Sequence, residues 1–141
     1  KEGEARPTGN MCSPGTDVVY EGKIDPRHCI NSTSKTYYGD QWVRAEAIVL
    51  GDSLITHIIN GDTVLQYTKP QIGGGVVEGY NPAIKQDGKL LMEGFIALQS
   101  EGQPIDFRKV VIKNLEGCMD PKAINYNKQF IKSDPSACKY K

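Results

Sequence analysis

Residues Gly94 to Leu115 read GFIALQSEGQPIDFRKVVIKNL. Two apolar runs, Phe95-Ile96-Ala97-Leu98 and Val110-Val111-Ile112, flank a Gly102-Gln103-Pro104 break. Short apolar runs around a Gly/Pro interruption predict paired strands rather than a helix. Gln99, Glu101, Asp106 and Arg108 fall near the ends of these runs, where a rigid sheet would hold polar groups for a ligand.

A second region carries the same signature more densely. Gln41 to Leu50 (QWVRAEAIVL) and Ser53 to Ile59 (SLITHII) flank Gly51-Asp52, and Asn60-Gly61-Asp62 leads into Thr63 to Tyr67. Gly-Asp and Asn-Gly links between apolar runs favour tight hairpin turns, so a three-strand meander is expected. Val18-Val19-Tyr20 is a further strand candidate. Lys1 to Pro14 and Asn31 to Asp40 read as connections. Pro70 to Leu91, with Gly73-Gly74-Gly75 and Asn81-Pro82, reads as a long loop, a kind of segment that is often functional. After Glu116 the chain becomes polar and Asn/Asp/Pro-punctuated, with one helical turn expected near Pro121 to Ile124. The 15 glycines and 8 prolines among 141 residues suit a loop-rich β protein.

Charge excludes some partners. The 17 basic and 17 acidic residues balance and form no run of one sign. That removes the electrostatic footprint of a nucleic-acid binder. No apolar stretch approaches the roughly 18 residues of a membrane span. Lys1-Glu2-Gly3-Glu4 does not resemble a secretion signal, which leaves a removed signal or a longer parent chain.

The four cysteines, Cys12, Cys29, Cys118 and Cys138, form no C-x-x-C motif, which weakens zinc-ribbon and thioredoxin readings. Three disulfide connectivities are open, of which Cys12 with Cys29 and Cys118 with Cys138 is the most economical. Closing a loop of that size stabilises by about 3 kcal/mol in the chain-entropy picture. Disulfides would imply an extracytoplasmic location; the alternative is four reduced, buried thiols.

At this point the residues resemble a family. The run from Gly94 to Leu115 resembles the pattern G-x-I-x-L-Q-x-x-G-x-x-[VI]-x-F-[RK]-[NK]-[VI]-x-[IV]-x-x-L, the closing hairpin of the 3-keto-disaccharide hydrolase family. Trp42 through Glu46, Gly51, and His57-Ile58-Ile59-Asn60-Gly61 resemble its W-x-x-x-E…G…I-x-H-x-x-N-G meander. The resemblance covers roughly Tyr38 to Leu115 and implies an all-β, concanavalin-like jelly-roll sandwich with its ligand on a concave sheet face. It also implies activity on glycosides oxidised at the sugar 3-position. The tail is similar to a second pattern, G-C-x-D-P-x-A-x-N-Y…C-x-Y, of secreted bacterial proteins. That similarity implies the Cys118–Cys138 pair and a periplasmic, outer-membrane-associated or secreted protein. The six or seven strands legible here fall short of a full sandwich. The expectation is therefore residues 1–116 as the carboxy-terminal part of a jelly roll, with 117–141 a cysteine-bracketed tail packed on it. An amino-terminal half or a second subunit would complete the sandwich.

The chemistry of a 3-keto sugar sets what to look for. The ketone acidifies the C2 proton, so a base can remove it, expel the C1 substituent and let water add back. Arg44 and Glu46, two apart on a strand, share a face with Trp42, which would stack on a sugar ring. The alternative is an exposed ion pair beside a core tryptophan. His57, between Ile55 and Ile59, is either a base or a satisfied structural histidine. With Glu46 on the neighbouring strand it would suit a divalent metal, though two ligands do not make a site. The candidates are thus His57 and Glu46 as catalytic groups and Trp42, Arg44, Gln99, Glu101 and Arg108 as substrate contacts. Members of the family often carry histidine at the position of Glu101. Other readings are a non-catalytic carbohydrate-binding module, or a structural domain whose tail mediates surface attachment.

Overall fold

The computed structural model describes residues 3–74, 79–100, 102 and 104–141. The fold is all-β and built mainly of antiparallel strands, as a β-sandwich is, with no α-helix among the described residues. The chain divides into two compact units, Lys1–Ile96 and Ala97–Lys141.

In the first unit, β1 (Met11–Cys12) pairs with β4 (Cys29–Ile30) in a small antiparallel ladder. A five-stranded sheet has the order β3-β2-β7-β6-β5. Its strands are β2 (Thr16–Tyr20), β3 (Lys23–Asp25), β5 (Ala45–Val49), β6 (Ile55–Ile59) and β7 (Asp62–Ile72). The expected meander is β5-β6-β7. Asn60 and Gly61 turn the β6–β7 hairpin with φ of 52° and 98°, the double positive φ of a type I′ turn. The Asn60 amide oxygen also accepts from the Arg44 backbone N–H at 2.9 Å, so the turn holds the entry to β5.

The β5–β6 connection differs from the expected two-residue link. Val49 pairs with Ile55, and Leu50 N–H bonds the Leu54 carbonyl at 2.9 Å, closing a five-residue loop around Gly51-Asp52. Glu21-Gly22 forms a second hairpin, β2–β3, again with two positive φ values, 50° and 78°. Glutamate is an unusual first residue for that turn, which is why the sequence does not announce it.

The core is small. Met11, Val18, Ile30 and Leu65 are buried together, with Tyr20 and Tyr67 packed against them. Cys12 and Cys29 face each other across β1–β4 with Cα atoms 4.1 Å apart and are disulfide-bonded. A bridge closing this ladder supplements a core too small to carry much stability alone. Gly9 caps the sheet near Ile59: with φ of 86° it sits where a Cβ would lie 3.0 Å from Ile59 Cγ1. A side chain there would strain the backbone and press on Ile59.

In the second unit, β8 (Glu116–Gly117) runs parallel to β9 (Lys132–Ser133). The Cys118–Cys138 disulfide, with Cα atoms 4.8 Å apart, closes the tail. Asp134 caps a 3-10 turn, Pro135–Ala137, by accepting from Ser136 N–H. The helical turn expected at Pro121 to Ile124 is instead a set of tight turns. Asp120 takes the Lys122 N–H on its side chain and the Ala123 N–H on its carbonyl, at 2.9 and 3.0 Å. Asp-Pro chemistry favours that closed turn over a helix start.

The closing hairpin is the main correction to the sequence reading. No described residue from 91 to 115 lies in a strand. Phe95, Ile96, Leu98, Val110, Val111 and Ile112 are all exposed, Phe95 completely. Strand patterning names residues that fit a pleated, half-buried surface; it does not supply the neighbour whose ladder makes them a strand.

Candidate functional site

The register of β5, β6 and β7 decides which candidates can meet. Glu46 pairs with Ile58, Ile48 with Thr56, and Ala47 with His57. Directly paired residues share a face and successive residues alternate, so Glu46 and His57 project from opposite sides of the sheet. The expected joint site of the two, catalytic or metal-binding, is not formed. Among the described residues no three His, Cys, Asp or Glu side chains cluster as a metal site.

His57 lies on the inner side. Its Nδ1 is 2.7 Å from the Gly9 carbonyl and its Nε2 is 3.1 Å from the Tyr67 hydroxyl. A carbonyl can only accept, so Nδ1 carries the proton and Nε2 accepts from the phenol. The two rings meet edge to face, with centroids 5.3 Å apart. Burial pushes the Tyr67 phenol above its usual range. With both nitrogens occupied, this histidine ties β6 to β7 and to the Gly9 segment.

The outer side is open and polar. Arg44 Nη2 donates to Glu46 Oε2 at 2.9 Å, and both side chains remain exposed, at 74% and 39%. The Arg44 backbone is fixed on both sides by Asn60, through its N–H and its carbonyl, each at 2.9 Å. A pair so exposed adds little to stability, so its carboxylate and guanidinium are free to serve a ligand. Trp42, half exposed, lies two residues ahead of Arg44 and just outside β5.

The same face extends across the sheet to residues that the sequence reading did not single out. Thr56 pairs with Gln66, and Gln66 Nε2 donates to Thr56 Oγ1 at 3.1 Å. Thr56 is buried and Gln66 exposed. Ile48 and Ile58, half-buried, floor the space between. Thr56 and Gln66 were visible in the sequence, but only counting register through both turns places them on the face of Glu46.

Gln99 and Arg108 are exposed residues of the second unit, and Glu101 lies outside the described residues. A separate hollow of about 410 Å³ sits at the β2–β3 hairpin, lined by Tyr20, Lys23, Ile24 and Arg27 among others. There Arg27 hydrogen-bonds Asp25 through side chain and backbone and holds its carboxyl below the usual range. No predicted site residue lines it.

Fold and site together define an all-β domain that presents an open sheet face bearing a carboxylate, a guanidinium and an amide. The family model of the 3-keto-alpha-glucoside-1,2-lyase-like domain matches residues 1–113. The chain belongs to that family, and its domain is 3-keto-glycoside lyase-like and carbohydrate-active. No curated protein and no solved structure matches the chain.

Proposed function

We propose that this domain cleaves glycosides carrying a ketone at sugar C3, with Glu46 as the base. The carboxylate takes the C2 proton, and the C2–H electrons form an enolate with the C3 carbonyl. The enolate collapses to a C1=C2 double bond as the C1 oxygen substituent departs and takes up a proton. Water then adds at C1 and a proton returns to C2, giving net hydrolysis. Arg44, against Glu46, faces the negative charge that develops on the ketone oxygen. Trp42 offers a ring face for sugar stacking.

The observation that carries this reading is family membership over residues 1–113, joined to an exposed Arg44–Glu46 pair on an anchored backbone. His57 is left as a structural tie, because both ring nitrogens have partners. The two disulfides support a periplasmic or secreted setting, where such bridges persist.

The openness of this face also favours a second reading, a carbohydrate-binding module without chemistry. Aglycone release from a 3-keto-glucoside separates the two. The wild type is expected to release aglycone, and Glu46→Gln to lose roughly 10²–10⁴-fold, the usual worth of a positioned base. Binding without release by the wild type would favour the module; unchanged turnover in Glu46→Gln would remove Glu46 from the mechanism.

A further inference from the structure

The outer face of β5-β6-β7 holds two polar stations. One is the Arg44–Glu46 pair at the start of β5. The other is Gln66 on β7, hydrogen-bonded to buried Thr56. Two strand spacings, about 10 Å, separate β5 from β7, and the pairs Glu46–Ile58 and Thr56–Gln66 are offset by a further two residues, about 7 Å along the strands. One pyranose cannot touch both stations; two linked pyranoses can. Between them lie Ile48 and Ile58, an apolar strip suited to the C–H faces of sugar rings.

Gln66 is also oriented in advance. Its donation to the Thr56 hydroxyl restrains the exposed side chain and uses one amide N–H, leaving Oε1 and the second N–H for a ligand. An exposed glutamine normally gives up side-chain freedom when it binds, and here much of that cost is already met by Thr56. An acceptor and a donor side by side match vicinal sugar hydroxyls.

Resting on the functional reading above, we propose that Gln66 is the specificity residue for the leaving-group sugar, recognising its hydroxyls while the 3-keto ring sits at Arg44 and Glu46. The leaving-group sugar then lies across the strands from the 3-keto ring, toward β7. Gln66 contributes to a disaccharide and is indifferent to a small aglycone.

The test compares kcat/KM on 3-keto-trehalose and on methyl 3-keto-α-glucoside for the wild type, Gln66→Ala and Thr56→Val. Gln66→Ala is expected to lose roughly three- to tenfold on the disaccharide, the worth of one or two hydrogen bonds, and nothing on the methyl glycoside. Thr56→Val, which keeps the shape but frees the amide, is expected to lose less, in the same direction. Gln66 is exposed, so its variant decides the matter should Thr56→Val not fold. Equal losses on both substrates, or none on either, overturn the inference while leaving the function standing. A wild type that turns over neither substrate overturns the functional reading and the inference with it.

Discussion

Arg44 and His57 sit one strand apart and carry opposite burdens. The Arg44 guanidinium is 74% exposed and pairs with Glu46 on the surface, where such a pair contributes at most about 1 kcal/mol. His57 joins a backbone carbonyl and a half-buried phenol from the inner side. Removing it leaves the Gly9 carbonyl and the Tyr67 hydroxyl without their partner. His57→Ala is therefore expected to cost about 1–3 kcal/mol in urea unfolding, and Arg44→Ala less than about 1 kcal/mol. The order reverses for turnover, which Arg44→Ala depresses more. A His57→Ala protein of wild-type stability would contradict the structural role given to the imidazole. The sequence was sufficient to put Arg44 and Glu46 on one face, since that needs only strand alternation. It was not sufficient to part Glu46 from His57, because that depends on how many residues the β5–β6 loop consumes.

Among the elements, the turns were the most legible and the ladders without local partners the least. Asn60-Gly61 announces its hairpin because both residues tolerate positive φ. The 94–115 stretch announces strands equally clearly, yet its described residues stand outside any ladder, since pairing partners are a tertiary property. The tail shows how a polar segment holds shape without a core. Asp120 is held below its ordinary 3.8 by the Lys122 N–H and then by the Tyr140 hydroxyl. Tyr140, donating to Asp120 at 2.7 Å, is raised above its ordinary 10.0 by that bond. A lowered carboxyl stabilises fully above 3.8 and the contribution fades as pH falls below it. A raised phenol stabilises below 10.0 and its contribution is lost as pH climbs through the shifted value. Tyr140→Phe is thus expected to move the Asp120 carboxyl titration, followed by carbon-13 NMR, upward toward 3.8 and to abolish the alkaline loss. An unmoved Asp120 titration would show that the phenol does not support it.

At the scale of the molecule, two disulfides and a small apolar core support the sheet face on which the proposed chemistry lies. The bridges close spans of 17 and 20 residues, each worth about 3 kcal/mol as a restraint on the unfolded chain. Their pairing was the most economical of three from the cysteine positions, and the structure has it. The all-β class was legible from the turn chemistry of residues 51–61, while the β2–β3 hairpin was hidden by an unorthodox Glu21-Gly22 turn. The outer face became legible only through register, which brings Glu46, Thr56 and Gln66 to one side of three strands. The central claim is that this face removes the C2 proton of a 3-keto sugar, and the most direct measurement is the rate of aglycone release from a 3-keto-glycoside deuterated at C2. The account predicts slower release than from the protiated substrate and loss of deuterium to water; release at an equal rate with deuterium retained at C2 would contradict it.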